Sequence, residues 1–322
     1  MSRAVRIHAA GGPEVLTLDT VEVGDPGPGQ IRMRQTVCGV NFIDIYQRTG
    51  LYPLPLPATL GMEGVGVIDA IGEGVTGLSV GDRVGYPMVL GGYAEVRLIA
   101  ADRVVRIPDG IEDTTAAGIL LRGCTVQYLI RRIHPVQPGD VIINHAAAGG
   151  VGLLLSQWAK HLGATVIGTV STPAKAELAR AHGADRVVLP GEDLVAVAKE
   201  MTGGQGVPVV YDSIGKDTLM TSLDCLRPRG ILVSFGNASG APPAIEPGLL
   251  GAKGSLFLTR PSLGHYIATR AELEATAADL FAFLVSGKAT VRVDQRFPLA
   301  DAAAAHEALA SRKTTGSTVL MV

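Results

Sequence analysis

The stretch 141–164, VIINHAAAGGVGLLLSQWAKHLGA, decides how the rest of the chain is read. Its start is apolar and rich in β-branched residues, the pattern of a buried strand, ending at His145. A turn of small residues follows, and Gly149, Gly150 and Gly152 open a helix running from about Gly150 to Leu162. Glycines at such a turn let backbone approach a pyrophosphate, while the unbonded amides and dipole of the helix start attract its charge. Ala147 stands where the GxGxxG fingerprint has its first glycine, so the match is imperfect, and a tight turn without ligand is the competing reading.

The residues downstream favour the ligand. TVIGTV at 165, a helix from about Pro173 to His182, RVVL at 186, VPVVYDS at 207 and GILVSFG at 230 alternate buried strands with helix-length segments. That alternation implies a parallel, doubly wound sheet of the Rossmann kind. An acidic residue after the second strand usually grips the ribose 2′-hydroxyl of NAD. Here the strand runs into Ser171, Thr172, Pro173, Ala174 and Lys175, with no acid. Lys175 as a point charge and Ser171 as a donor suit the extra phosphate of NADPH. A solvated lysine at a helix start is the alternative for Lys175.

Outward from this centre the pattern changes. VRIHAA, IRMRQTVCGV and EGVGVIDAIG, broken by GDPGPGQ and GEGVTGLSVGDRVG, read as short strands of a compact, mostly β domain. Beyond Ser262, AELEATAADLFAFLVSGK carries Leu273, Ala277, Leu280, Phe281 and Leu284 at helical spacing. A strand VRVDQRFPL, a helix DAAAAHEALASR and a final strand TVLMV follow, too little for a domain of their own. They are expected to complete the N-terminal domain, so that residues 1–124 and 262–322 enclose a dinucleotide-binding domain at 125–261.

The 322 residues are 47% hydrophobic and 18% charged, an ordinary globular balance with room for two domains. A formal net charge of −2 with dispersed Lys and Arg gives no footprint for nucleic acid as principal partner. The first residues lack the apolar core of a secretory signal, and no apolar run reaches the roughly 18 residues of a membrane span. Cys38, Cys124 and Cys225 are far apart and odd in number, which suits a reducing, cytoplasmic setting.

Several motifs now carry a resemblance: GGPEVL at 11, GVNFIDIYQRTGLYP at 39, LGMEGVGVI at 60, GDRVGY at 81, HAAAGGVG at 145, YDSIGKDT at 211, SFGNASG at 234 and TRPSL at 259. Together they span nearly the whole chain. The sequence resembles the medium-chain dehydrogenase/reductase superfamily and, within it, the zinc-free quinone oxidoreductases related to zeta-crystallin. The resemblance implies an α/β fold in which a Rossmann sheet is inserted into a GroES-like catalytic domain. It also implies hydride delivery from NADPH to a quinone or similar conjugated carbonyl, and a homodimer, whose contact is expected in APPAIEPGLLGAKGSLFL at 241.

Carried over by position, Asn41, Phe42 and Tyr46 line the nicotinamide end of the cleft and Tyr52 closes the substrate side; Asn41, Tyr46 and Tyr52 are the catalytic candidates. Cofactor contacts fall on Phe42, Tyr46, Tyr128, Gly149, Gly150, Val151, Gly152, Ser171, Lys175, Ser213, Phe235, Gly236, Asn237, Arg260, Pro261, Ser262 and Arg312. A salt bridge at the surface is nearly as good a reading for Arg312, and loop packing is the bland one for Tyr52. Zinc-dependent relatives carry Cys and His where this chain has Asn41 and Met62, and their four structural cysteines have no counterpart. The expectation is a metal-free protein. One departure is VVLPGEDL, where Pro190 and a shortened segment replace a tyrosine beside the adenosine 2′-phosphate. NADPH preference then leans on Lys175 and Ser171. Two rivals stay open: an enone or alkenal double-bond reductase, and a non-catalytic NADPH-binding protein.

Overall fold

The computed structural model describes residues 1–322, which divide into two compact units. The first comprises Met1–Cys124, Ile267–Val285 and Val291–Val322; the second comprises Thr125–Tyr266 and Ser286–Thr290.

In the second unit six parallel strands lie in the order Arg186–Val188, Thr165–Thr169, Val141–Asn144, Val207–Asp212, Leu226–Ser234, Phe257–Thr259. Read by position in this unit, that order is 3-2-1-4-5-6, the doubly wound arrangement whose ligands bind beyond the strands' carboxyl ends. Ile143, Ile167, Val210 and Leu232, on one face by register, are fully buried and pack with Leu219, Leu223 and Ala198 from the helices. Ile142, Val166, Val209 and Val233 on the other face are fully buried as well, so both faces of the sheet are covered. The first strand stops at Asn144, one residue before the expected His145, because the His145 ring belongs to the turn, bonded to Thr169 Oγ1 (2.8 Å) and Ser222 Oγ (3.0 Å).

The first unit is built on the long strand Gln30–Val40, paired antiparallel with Glu63–Ile71, with Val96–Ala100 and with the C-terminal strand Ser317–Met321. The last pairing sets Thr318 opposite Val40 and Leu320 opposite Cys38, so the chain's end returns to the sheet its beginning laid down. Cys38, Val40, Leu60, Tyr93 and Leu320 then share a core with Ala302, Ala305 and Leu309 of the helix Ala302–Ala310.

Two expectations need correction, and one element is missing from them. The chain re-enters the first unit at Ile267 rather than Ser262, since the short helix Leu263–Tyr266 stays in the second: the Tyr266 ring stacks on Tyr128 at 4.3 Å and the Arg132 guanidinium lies 5.1 Å over it. In the helix Arg270–Val285, Leu273, Ala277, Leu280 and Phe281 are buried as the spacing required, but Phe283 takes the last core position and Leu284 is half-exposed. Both fit helical spacing, and the larger ring occupies the space. Finally, the sixteen-residue helix Asp113–Tyr128 has no signature in the sequence reading. From Ala116 to Tyr128 every residue is buried, so no polar stripe marks its period. Gly123 lets Leu280 close on it, as an added Cβ would lie 2.5 Å from the leucine methyls.

Candidate active site

The turn after Val141–Asn144 is shaped by what is missing from its side chains. Ala146 adopts a left-handed φ of 53°, and Gly149 caps the helix Gly150–His161 with no side-chain hydrogen bond. The first intrahelical bond runs from Leu153 N to Gly149 O (2.9 Å), so the amides of Gly150, Val151 and Gly152 precede it. Gly152 has no alternative: a Cβ there would lie 2.3 Å from the Ala146 carbonyl oxygen and 2.8 Å from Ala147 Cα. Ala147 is tolerated in place of the fingerprint glycine because the next strand yields. A Cβ on Gly168 would sit 2.8 Å from the Ala147 methyl, so the two positions have exchanged which of them is bare. Asn144 ties strand to helix through Gly152 O (2.8 Å) and Ser156 Oγ (2.9 Å). A turn with three free-ended amides at a helix start fits a pyrophosphate.

A buried relay under this turn went unnoticed in the sequence. Asp212, ending its strand, accepts the amides of Ile214 (2.8 Å) and Gly215 (3.0 Å) and the hydroxyls of Thr218 and Ser222. Ser222 Oγ in turn meets His145 Nε2. Since Ser222 donates to Asp212, the imidazole proton is assigned to Nε2, leaving Nδ1 to accept from Thr169. Burial lowers the His145 pKa, against the opposing pull of Asp212, so the ring is neutral. Three strand ends are thereby joined. The resemblance to a nucleophilic triad is one of composition only, because Ser222, His145 and Asp212 are all buried. Its signal in the sequence is a set of polar residues at the carboxyl ends of consecutive strands, a weak cue without knowledge of strand order.

The expected cofactor residues fall into groups. Ser171 is exposed; Thr172 caps the helix Pro173–Ala181 by accepting the Lys175 amide (3.3 Å), and half-burial lowers the Lys175 pKa. Ser213, Phe235, Gly236 and Asn237 lie on two loops zipped together by Phe235 N to Asp212 O (2.8 Å) and Ala238 N to Ser213 O (3.2 Å). A Cβ on Gly236 would lie 2.4 Å from Ser213 O. Arg260 donates to Ser234 O (2.9 Å) and Gly236 O (3.1 Å), clamping that loop, with Pro261 and Ser262 next to it in the chain. Tyr128 is 2% exposed with its face against Tyr266. Arg312 belongs to the first unit, where it leaves the helix Ala302–Ala310 with a left-handed φ of 59° and an exposed side chain.

In the first unit Asn41 caps the helix Phe42–Arg48, and Asp44 reaches back to its amide (2.8 Å). Helical spacing puts Phe42 and Tyr46 on one face, ring centroids 6.2 Å apart. The chain then turns so that Tyr52 N bonds Tyr46 O (3.0 Å) and the Tyr52 ring meets Tyr46 edge-on at 5.4 Å and 73°. All three rings are half-exposed, an apolar ledge of mutually inclined rings with two hydroxyls. Asn41 differs. It is 5% exposed, and its Nδ2 donates to Glu63 Oε2 at 2.9 Å, turning the amide inward.

Behind the ledge lies a polar interior. Glu63 Oε1 accepts the Leu121 amide (2.6 Å), and burial raises its pKa to about 7 against the pull of Arg122. Asp44 is likewise raised to about 7 by burial and accepts the Tyr93 hydroxyl (2.8 Å). Tyr93 also meets His306 Nε2 (3.0 Å), whose Nδ1 faces Arg48 (3.3 Å); burial, aided by Arg48, drops the His306 pKa to about 3. Zinc does not fit here. Met62 Sδ accepts from Gln47 (3.3 Å), the Asn41 amide is committed to Glu63, and no group of three His, Cys, Asp or Glu side chains converges as metal ligands would.

Comparison with known proteins agrees with this architecture. Residues 27–109 match the model of the alcohol dehydrogenase GroES-like domain and residues 150–282 that of the zinc-binding dehydrogenases. The chain is 50% identical to the quinone oxidoreductase of Pseudomonas aeruginosa and 47% identical to a 2-haloacrylate reductase of Burkholderia, covering at least 99% of both partners in each case. The crystal structure of Escherichia coli quinone oxidoreductase complexed with NADPH superimposes with a TM-score of 0.97 at 47% identity, over 99% of this chain and 100% of that one. The chain belongs to the quinone oxidoreductase family of the medium-chain dehydrogenase/reductase superfamily.

Proposed function

We propose that the protein is an NADPH:quinone oxidoreductase that works without a metal. The observation that carries this reading is the ledge of Phe42, Tyr46 and Tyr52, beside an Asn41 whose amide is bonded to Glu63 and a Met62 whose sulfur accepts from Gln47. A planar acceptor stacks on such rings, and the tyrosine hydroxyls bond its carbonyls. Gly150, Val151 and Gly152 would hold the pyrophosphate by their amides, and Ser171 and Lys175 the 2′-phosphate. Ser213, Phe235, Gly236 and Asn237 would hold the nicotinamide, with Arg260 fixing their loop. NADPH supplies the hydride. A quinone already draws electrons and spreads the resulting charge over its ring, so positioning and two hydroxyl donors suffice where an alcohol would require a Lewis acid. Solvent supplies the proton that completes the hydroquinone. Asn41 we assign to positioning rather than to contact with the acceptor.

Identity with a 2-haloacrylate reductase favours a second reading, reduction of a carbon–carbon double bond conjugated to a carbonyl or carboxylate. NADPH oxidation with a p-benzoquinone, an unsaturated aldehyde and a 2-haloacrylate separates the two. Higher kcat/KM with the quinone is expected; a clear preference for either alkene would replace the first reading with the second.

We also infer a homodimer and a cytosolic setting. The edge strand Phe257–Thr259 presents Phe257 at 60% and Leu258 at 37% exposure, apolar surface on an unpaired sheet edge. All three cysteines are buried and free, and no helix is long and apolar enough to cross a membrane. Light scattering should give twice the chain mass, and Phe257→Lys should give the chain mass itself.

A further inference from the structure

Glu63 is fully buried, and its two oxygens are divided between two elements: Oε2 accepts Asn41 Nδ2 (2.9 Å) and Oε1 accepts the Leu121 amide (2.6 Å) within the helix Asp113–Tyr128. The neighbouring Arg122 donates to Val40 O (2.5 Å) and Gly118 O (2.8 Å), fixing a compensating charge on the same helix. Space for the carboxylate is cut out of the strand beside it. A Cβ on Gly39 would lie 2.1 Å from Glu63 Oε2 and 2.4 Å from Ala117 O. Apolar residues in place of both Glu63 and Arg122 would hold the fold about as well, because burying charges costs desolvation that pairing only offsets. What the carboxylate adds is direction.

We propose that Glu63 is a positioning residue for hydride transfer: by gripping Asn41 it fixes the cap of the helix Phe42–Arg48 and so the angle at which Phe42 and Tyr46 present the acceptor. This rests on the reading of those rings as the acceptor ledge. Because geometry at the reacting atoms is what the grip controls, its loss acts on kcat and leaves the dinucleotide site of the second unit alone.

Two variants test it by steady-state turnover of NADPH with a p-benzoquinone and by fluorescence titration with NADPH. Glu63→Gln should lower kcat by about 10- to 100-fold with the Kd for NADPH unchanged; a folded Glu63→Gln variant with wild-type kcat overturns the proposal. Should that variant not fold, with Arg122 left uncompensated, Asn41→Asp decides alone. It keeps a good helix cap but replaces the donor with a second carboxyl facing Glu63. Arg122, Asp44, Cys38, Tyr86 and Cys124 surround the pair and are the same in both proteins. Burial already raises Glu63 to about 7 and a second carboxyl raises it further. The kcat of Asn41→Asp should therefore hold while the two carboxyls share one proton and fall as pH rises above neutral and that proton is lost, with no such fall in the wild type; a kcat flat across that range overturns the proposal. The wild-type chain provides the separate control. Its failure to turn over any quinone would fall on the parent reading, and the same variants would then be assayed with the alkene acceptor it does use.

Discussion

The turn at 145–152 and the interior around Asn41 are built from opposite materials. The turn works by omission: bare glycines, an uncapped helix start and backbone amides turned outward. The interior works by commitment, with Asn41, Asp44, Glu63, Tyr93 and His306 buried and bonded to one another across strands and helices far apart in the chain, and Arg122 buried beside them on backbone carbonyls. A site for a phosphate needs donors without competitors; a ledge that aims an uncharged acceptor needs a stiff mount. The same protein therefore has one half sensitive to any added atom and another sensitive to any removed bond.

Adding atoms to the turn should do most damage. Gly152→Val drives side-chain carbon into the Ala146 carbonyl, and NADPH affinity measured by fluorescence should fall more than about 100-fold. Retained affinity would show that the turn does not hold the cofactor. Next in size is Gly39→Ala, which pushes directly on Glu63. It should cost about 1–3 kcal/mol in urea unfolding and lower kcat, while the KM for NADPH stays near wild type; an effect on KM alone would mean that the two halves are not independent in the way described.

Smaller effects sharpen the contrast. Lys175→Ala should raise the KM for NADPH by about 10-fold, the worth of one charge-assisted bond, and leave that for NADH unchanged. Equal changes with both cofactors would remove Lys175 from the 2′-phosphate site. His306→Gln probes the interior through pH. A His whose folded pKa is depressed from 6.5 to about 3 contributes stability that is complete above 6.5 and is lost as pH falls. Asp44 and Glu63, raised to about 7, act the other way, their contribution falling as pH rises from the ordinary carboxylate range to about 7. Removing the imidazole leaves the carboxyls unopposed, so unfolding free energy at about pH 5 relative to about pH 7.5 should rise by about 2 kcal/mol compared with wild type. An unchanged difference would mean that His306 is not held neutral.

The same contrast explains what could be read from the sequence. Omission is local: Gly149, Gly150, Gly152 and Gly236 lie in short runs beside the strands that position them, and five of the six parallel strands announce themselves as apolar runs, while the three-residue exposed edge strand Phe257–Thr259 does not. Phe42 and Tyr46 come from the family resemblance, and the helix Phe42–Arg48 then puts them on one face. Commitment is non-local. Asn41 meets Glu63 only because the strands Gln30–Val40 and Glu63–Ile71 pair, and both meet Leu121 on a helix too uniformly buried to show a period. The inward turn of Asn41, the clamp made by Arg260 and the bond from His145 to Ser222 follow from strand order and register, which no run of residues displays.

The most direct measurement is quinone-dependent NADPH oxidation by the purified protein before and after exhaustive treatment with a zinc chelator. The account predicts turnover that requires both NADPH and quinone and is the same after chelation. Turnover abolished by the chelator and restored by added zinc would contradict it.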